Sequence, residues 1–169
     1  DGRPDIAQVV SANPATVLLS NPDGSFGLPI PFYAQNGVDQ LAAGDFDGNG
    51  KTDLVYTGYL SVGVMFGNGD GTFTQGPLVD LPTFSSTVVT GFLNDDTFLD
   101  VAVAGAGEPR LFVFLGHGDG SFDPAVEYAL IDQTVGVAIA DFDGDGNADI
   151  ASADLYSGNV SLLLGNGDG

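Results

Sequence analysis

The residues best suited to chemistry lie in a nine-residue stretch that begins at Asp45 and ends at Asp53. Side chains with oxygen atoms stand at its positions 1, 3, 5 and 9, which are Asp45, Asp47, Asn49 and Asp53. Position 7 is Lys51, which offers only its backbone carbonyl oxygen. This alternation suits Ca²⁺, because that hard cation takes about six to eight oxygen ligands at about 2.3–2.6 Å from a tight loop. The pattern predicts a calcium site with these five residues as ligands.

The same pattern recurs in the stretch 141–149, near the other end of the chain. Positions 1, 3, 5 and 9 are all aspartates there, and position 7 is an asparagine that can offer its backbone carbonyl. Together the two stretches hold seven of the 23 acidic residues, so metal binding explains part of the acidity of the chain. The predicted ligands of this second calcium site are Asp141, Asp143, Asp145, Asn147 and Asp149.

A third stretch, 92–100, keeps the spacing and loses the first ligand, because its position 1 is Phe92. Oxygen ligands remain at positions 3, 5 and 9, with a backbone carbonyl at position 7. We expect hydrogen bonds to replace the metal in this loop, and weak metal binding is the alternative. The weak ligands would be Asn94, Asp96, Phe98 and Asp100.

Two sequence markers recur with one period. The aspartate that ends each loop returns after 48, 47 and 49 residues, and a phenylalanine that follows a Gly-Thr or Gly-Ser turn returns after 47 and 49. A period of about 40–50 residues is typical of propeller blades. The markers are Asp5, Asp53, Asp100 and Asp149 in the first series, and Phe26, Phe73 and Phe122 in the second.

The loops begin like EF-hands and then depart from them. An EF-hand has a bidentate glutamate at position 12, whereas this chain has Tyr56 and Ser152 there. The residues that follow each loop are typical of a strand instead of a helix. A calcium loop that leads into a strand resembles the FG-GAP/VCBS repeats of integrin-like β-propellers. That resemblance implies that each loop joins the first two strands of a blade.

The fold predicted from these observations is all-β. It is a β-propeller of four-stranded blades of about 48 residues, like the N-terminal domain of integrin α chains, with about three and a half blades per chain. Strands are expected at 6–10 and at 26–33, and Pro29 and Pro31 assign the latter to an edge. Residues 1–169 form a single partial propeller. Its repeat units are approximately 1–44, 45–91, 92–140 and 141–169.

Composition excludes several classes of function. The formal net charge is −20, and the only cations are Arg3, Lys51 and Arg110, so neither the basic patch of a nucleic-acid-binding protein nor attraction to an anionic membrane is expected. The absence of cysteine excludes disulfides and zinc thiolates. The sequence shows no run long enough to insert into a membrane. The single histidine, His117, lies in a glycine-rich turn and favours a solvated position over a general base.

The function expected from the sequence is a calcium-stabilised recognition or adhesion module outside the cell or at its surface, without catalytic activity. A carbohydrate-binding lectin of the propeller type is the alternative, and an accessory domain of a larger surface enzyme is the third. A glycan would need exposed aromatic side chains. The candidates are the five tyrosines, Tyr33, Tyr56, Tyr59, Tyr128 and Tyr156. Tyr59 and Tyr156 are singled out as ligand-binding residues, because they follow the two calcium loops at equivalent distances.

The ring predicted from the repeats is unfinished, because the first unit lacks its inner strand and the last lacks its outer strand. Open propellers expose unpaired strand edges and apolar faces, which are sites of association. We expect the ring to be completed by a second copy or by missing blades of a parent protein, of which this chain would be a fragment. A glycan or a protein is the expected ligand.

Overall fold

The computed structural model describes residues 2–9 and 14–169. Over these ranges the chain forms fourteen strands in four antiparallel sheets, and no helix capable of spanning a membrane is found there. The predicted strand at 6–10 is observed over Ile6–Gln8, and Val10 lies outside the described residues. The chain is therefore all-β, as predicted.

The four sheets follow one another along the chain, with four strands each in the second and third and three each in the first and last. The first sheet contains β1 (Ile6–Gln8), β2 (Ala15–Leu18) and β3 (Ile30–Phe32). The second contains β4 (Gln40–Gly44), β5 (Asp53–Gly58), β6 (Ser61–Gly67) and β7 (Phe73–Asp80). The third contains β8 (Ser85–Gly91), β9 (Asp100–Gly105), β10 (Arg110–Phe114) and β11 (Val126–Ala129). The last contains β12 (Thr134–Ala140), β13 (Asp149–Asp154) and β14 (Val160–Leu163).

Neighbouring sheets pack face to face, which is why all six residues of β5 are buried. Successive side chains of a strand point to opposite faces. Leu54 and Tyr56 therefore pack against the first sheet, whereas Val55 packs with Val101 and Val103 of the third. On the other face of the third sheet, Ala102, Ala104 and Leu111 pack with Ile150 of the last. The sheets are thus blades of a propeller.

The inner strands lie side by side, with β4 against β8 and β8 against β12. Small residues make this approach feasible. A Cβ atom on Gly44 would overlap the side chain of Leu99, and one on Gly91 would lie 2.8 Å from Ile139. The small residues that precede each loop in the sequence are therefore required by the crowding of the innermost strands.

The three loops with the spacing of calcium ligands all lie at one edge of the blades, which we call the loop rim. The stretch 45–53 joins β4 to β5, 92–100 joins β8 to β9, and 141–149 joins β12 to β13. Each loop thus connects the first two strands of a sheet, as the resemblance implied. Each sheet begins one strand before its loop, so the sheets are offset from the repeat units, which were counted from the loops. The strand predicted at 26–33 is observed over Ile30–Phe32, which follows Pro29 and contains Pro31, and it is an edge strand, as these prolines predicted.

A glycine lies at the end of the third strand of the second sheet, or two residues beyond it in the later sheets, because the loop backbone approaches it closely. A Cβ atom on Gly67 would overlap the Thr52 carbonyl oxygen, and one on Gly116 would overlap that of Leu99. Gly165 has the same relation to Ala148. Phe66-Gly67 and the equivalent Leu-Gly pairs therefore mark the point where the third strand touches the loop.

We expect Gly116→Ala to destabilise the chain by about 1–2 kcal/mol, because the added methyl group must displace backbone. Gly136→Ala in β12 is the matched control, since no atom lies within 4 Å of the added Cβ. Urea unfolding of the two variants measures the difference. Equal midpoints would contradict the proposed backbone contact.

Candidate metal centres

The first predicted ligand set converges at the loop rim of the second sheet. One carboxylate oxygen from each of Asp45, Asp47 and Asp53 lies within 4.8 Å of the others. The loop backbone orients these groups, because Asp45 accepts the N–H of Gly50 at 2.8 Å and Asp47 accepts that of Asn49 at 3.0 Å. Three carboxylates and an amide form an all-oxygen donor set, which fits a hard cation such as Ca²⁺.

Asn49, at position 5 of this loop, is also held by the loop itself. Its side-chain oxygen accepts the Lys51 N–H at 2.8 Å, and its Nδ2 donates to Asp47 at 2.8 Å. The side chain of Lys51 runs beside Gly69, and its charge adds to the hydrogen bonds that lower the pKa of Asp70. Because an ammonium group has no lone pair for a cation, the lysine can contribute to the site only through its backbone carbonyl, and that ligand role stays a prediction.

The second ligand set has the same arrangement in the last sheet. Oxygens of Asp141, Asp143 and Asp149 lie within 4.8 Å of one another. Asp141 accepts the N–H groups of Gly144 and Gly146 at 2.7 and 3.0 Å. Two further predicted ligands are tied to each other, because Asp145 accepts the backbone and side-chain N–H groups of Asn147 at 2.7 and 2.9 Å. Within residues 2–9 and 14–169, acidic clusters with metal-ligand spacing occur at these two loops.

The third loop is closed by hydrogen bonds among its own polar groups. Asn94 and Asp96 bond to each other twice, at 2.9 and 3.0 Å, and Asp96 accepts the Phe98 N–H at 2.7 Å. Phe92, at the place of the first ligand, is half exposed. The first loop has bonds at the same positions, between Asn49 and Asp47 and from the Lys51 N–H to Asn49, so the replacement of the metal in the third loop and its weak binding there both stay predictions.

The aspartate at position 9 ties each loop to the end of the third strand. Asp53 accepts the N–H of Phe46 at 2.9 Å through Oδ2 and the N–H of Gly67 at 2.8 Å through Oδ1. This second role was not predicted from the sequence, because a metal ligand and an acceptor of backbone hydrogen bonds have the same residue type. The equivalent bonds run from Leu93 and Gly116 to Asp100 at 2.7 and 2.9 Å, and from Phe142 and Gly165 to Asp149 at 2.8 Å each.

Burial affects these aspartates differently. Desolvation raises the pKa of Asp53 and of Asp100 above the ordinary value, although both accept two backbone N–H groups. The charges of Asp47 and Asp45 raise the pKa of Asp53 further. At Asp149 the N–H groups of Gly165 and Phe142 dominate and lower the pKa. A cation at the first loop would therefore relieve a carboxylate that is both buried and repelled by its neighbours.

The candidate aromatic residues lie at the opposite rim, where hairpins join the second and third strands. Tyr59 follows β5 and is 65% exposed, and its ring meets the edge of Phe84 with centroids 5.5 Å apart. Tyr156 follows β13 and is 77% exposed. The two tyrosines thus stand at equivalent places on one rim, as predicted. Phe84 was missed, because it lies 25 residues from Tyr59 in the sequence.

The other tyrosines differ in their surroundings. Tyr56 is fully buried between the first two sheets, so its inclusion among the exposed aromatic candidates was wrong. Its hydroxyl donates to the carbonyl of Gln35 at 3.0 Å. Tyr128 is half-buried and its hydroxyl donates to the Gly169 carbonyl at 3.2 Å. Tyr33 is exposed.

Stacked antiparallel blades with a polar loop between the first two strands define a propeller of repeated loop-bearing units. Comparison with known families gives the particular class. The sequence matches the FG-GAP-like repeat three times, over residues 1–56, 45–91 and 93–152. The chain therefore belongs to the FG-GAP-like repeat family, as the resemblance had indicated.

Comparison with solved structures finds a related propeller fold. A lectin of Agrocybe aegerita, described as specifically recognising non-reducing terminal N-acetylglucosamine, superposes with a TM-score of 0.61 and 23% sequence identity. The match covers 92% of this chain and 45% of the lectin chain, so the present chain spans less than half of that protein. At this identity the likeness shows the fold alone. Curated proteins gave no match.

Proposed function

We propose that the chain is a calcium-stabilised recognition module that works outside the cell or at its surface. The observation that carries this proposal is the pair of loops in which three carboxylates lie within 4.8 Å of one another. Clustered carboxylates repel, and a divalent cation bound among them would remove the repulsion and join the inner two strands of the blade. Extracellular modules bind calcium with dissociation constants of about 10⁻⁴–10⁻³ M, which suits calcium-rich surroundings.

The arrangement of the acidic residues supports a role without catalysis. In the two loops with clustered carboxylates, the position-9 aspartates accept backbone N–H groups and those at positions 1 and 3 lie in metal-ligand spacing, so structure and metal binding account for these six carboxylates. His117 is half exposed and lies 3.1 Å from Asp123 within a turn. The glutamates Glu108 and Glu127 form exposed ion pairs with Arg110.

Recognition of a carbohydrate is the second candidate, and one surface feature favours it. Tyr59 and Phe84 together present two partly exposed rings at the rim opposite to the loops. Exposed aromatic rings offer apolar faces against which sugar rings can pack. The likeness in fold to a lectin that recognises N-acetylglucosamine makes glycans with that terminal sugar the first ligands to test.

A glycan array probed in millimolar calcium and again in EDTA tests this candidate. We expect saturable binding that Tyr59→Ala weakens by about ten-fold, because removing a ring from a contact of this kind costs on the order of 1 kcal/mol or more. Tyr33→Ala, which removes a comparably exposed ring, is the matched control. If the folded chain bound no glycan on the array, the result would contradict the proposal of a lectin and favour a protein ligand.

We propose as well that the propeller ring is completed by a second copy of the chain or by further blades. The last sheet supports it, because Val160, Leu162 and Leu164 are at least half exposed. Burial of apolar surface at about 25 cal/mol per Å² would favour association there. Sedimentation equilibrium is expected to give a mass above that of one chain, 17.2 kDa. A monodisperse monomer would contradict self-association and leave further blades of a parent protein as the way to complete the ring.

A further inference from the structure

The last sheet buries a group of oxygen-bearing side chains on the face that packs against the third sheet. Thr134 is paired directly opposite Asp154, and Ser152 directly opposite Ser161. Opposite residues of an antiparallel pair share a face, as do residues two apart in a strand, so all four lie on the face of Ile150. Their exposed fractions are 0% for Thr134, 1% for Ser152, 5% for Asp154 and 9% for Ser161. One carboxylate and three hydroxyls are therefore enclosed between two blades.

This polar group is not part of the repeat. Asp154 takes the place of a glycine in the second and third sheets, and Ser152 and Ser161 take the place of a pair that includes one aromatic ring. The last blade thus has small oxygen-bearing side chains where the others are filled by apolar atoms. The residues at the equivalent places are Gly58, Tyr56 and Gly63 in the second sheet, and Gly105, Val103 and Phe112 in the third.

The Thr134 hydroxyl lacks the partner that its counterpart has one blade earlier. Ser85, at the equivalent place in β8, donates to the hydroxyl of Thr57 in the second sheet at 2.6 Å. The residue of the third sheet that corresponds to Thr57 is Ala104, whose methyl group accepts no hydrogen bond. Within the described chain Thr134 Oγ1 is buried without a hydrogen-bond partner. A buried unpaired hydroxyl costs free energy, so a bound group that this oxygen contacts would stabilise the fold.

The Asp154 carboxylate is buried with little to offset its charge. It accepts the hydroxyl of Ser161 at 2.9 Å and that of Ser152 at 3.4 Å, and the second bond is long. Buried carboxylates are normally paired with a cationic group or bound to a cation. The cationic side chains contact other parts of the molecule, which are the Ser20 carbonyl for Arg3, the turn at Gly69 for Lys51, and the carboxylates of Glu108 and Glu127 for Arg110.

We propose that Asp154, Thr134 and the two serines bind a hard monovalent cation, sodium or potassium, between the third and last blades. Carboxylate and hydroxyl oxygens are ligands for hard cations, and one carboxylate balances one positive charge. The cation takes the Thr134 oxygen as a ligand and offsets the buried charge of Asp154. The site is separate from the calcium loops, because Asp154 lies at the far end of β13, toward the opposite rim.

Thermal unfolding in EDTA, which removes calcium, tests the site. Sodium or potassium chloride at about 0.2 M is expected to raise the melting temperature by about 2–4 °C relative to tetramethylammonium chloride, because a cation that binds only the folded chain stabilises it. The comparison of sodium with potassium shows which of the two binds more strongly. Asp154→Asn should lose this rise, and Asp45→Ala, in a calcium loop, should keep it.

Thr134→Val gives the sharpest distinction, because it removes the hydroxyl and keeps the branched shape. It is expected to lower the melting temperature in sodium chloride and to remove most of the rise that the cation gives. Thr134→Ser keeps the hydroxyl and should keep the rise. Thr57→Val is the matched control at the preceding blade interface, since it breaks the bond to Ser85 and should lower the melting temperature equally in every salt.

Equal melting temperatures in the three salts, or a rise that Asp154→Asn keeps, would overturn the cation site. A Thr134→Val chain at least as stable as the original in sodium chloride would overturn it too, because the hydroxyl would then have no ligand to contact. A Thr134→Val loss of equal size in all salts would mean a bound water in place of the cation. All of these measurements are made without calcium, so their outcome is independent of the calcium loops.

Discussion

Replacing Asp100 with alanine is expected to destabilise the chain by about 3 kcal/mol, with or without calcium. The substitution leaves the N–H groups of Leu93 and Gly116 without their acceptor in a buried place. Each unsatisfied buried donor costs about 1–3 kcal/mol. The third loop is the right place for this test, because its position 1 is Phe92 and a metal effect is not expected to mask the result. Urea unfolding in calcium and in EDTA gives the free energy of unfolding in each condition.

Two further variants make the result specific. Asp100→Asn keeps the shape and one acceptor oxygen, and it also removes a buried charge that is costly to desolvate, so we expect a smaller loss than with alanine. Asp95→Ala, an exposed neighbour in the same loop, should stay within about 0.5 kcal/mol of the original chain. A loss that appears only in calcium would mean that Asp100 acts as a metal ligand, and would contradict its role as a backbone acceptor.

Calcium is expected to raise the free energy of unfolding by about 2–3 kcal/mol for each occupied loop when its concentration is about 100 times the dissociation constant. Asp141→Ala should remove the contribution of the last sheet, because it deletes one of three clustered carboxylates and the acceptor for Gly144 and Gly146. Asp45→Ala should do the same in the second sheet. Thermal unfolding in calcium and in EDTA measures, for each variant, how far calcium raises the melting temperature.

Asp96→Ala is the control for the calcium series, since it removes an acidic residue from the equivalent loop that lacks the first ligand. Calcium should raise the melting temperature of Asp96→Ala by as much as that of the original chain. If Asp141→Ala and Asp45→Ala also keep the full gain, the ligand assignment is contradicted. If Asp96→Ala loses part of it, the third loop holds metal as well.

Much of the fold could be predicted because the sequence repeats itself. The recurrence of Asp5, Asp53, Asp100 and Asp149 fixes the length of a blade, and the strand-like residues after each of them fix the fold class. The carboxylate clusters in the loops could be predicted for the same reason, since oxygen-bearing side chains alternate at short range within one stretch. Local spacing is visible in a sequence without knowledge of the tertiary structure.

Contacts that exist only in the folded chain, between blades or between strands of one blade, could not be predicted, because they join residues that are apart in the sequence. Tyr56 is an aromatic residue of the type that can bind sugars on a surface, but it is buried because the first sheet covers that face of β5. The pair formed by Tyr59 and Phe84 is created by the turn between two blades. The second role of Asp53 depends on Gly67, fourteen residues away, whose N–H reaches the loop only in the folded sheet.

Isothermal titration of the calcium-free chain with calcium tests the central claim most directly. We expect two calcium ions to bind per chain, one in each of the two loops with clustered carboxylates. After Asp45→Ala or Asp141→Ala we expect only one ion to bind. Absence of binding heat at millimolar calcium, or a stoichiometry that neither substitution changes, would contradict it.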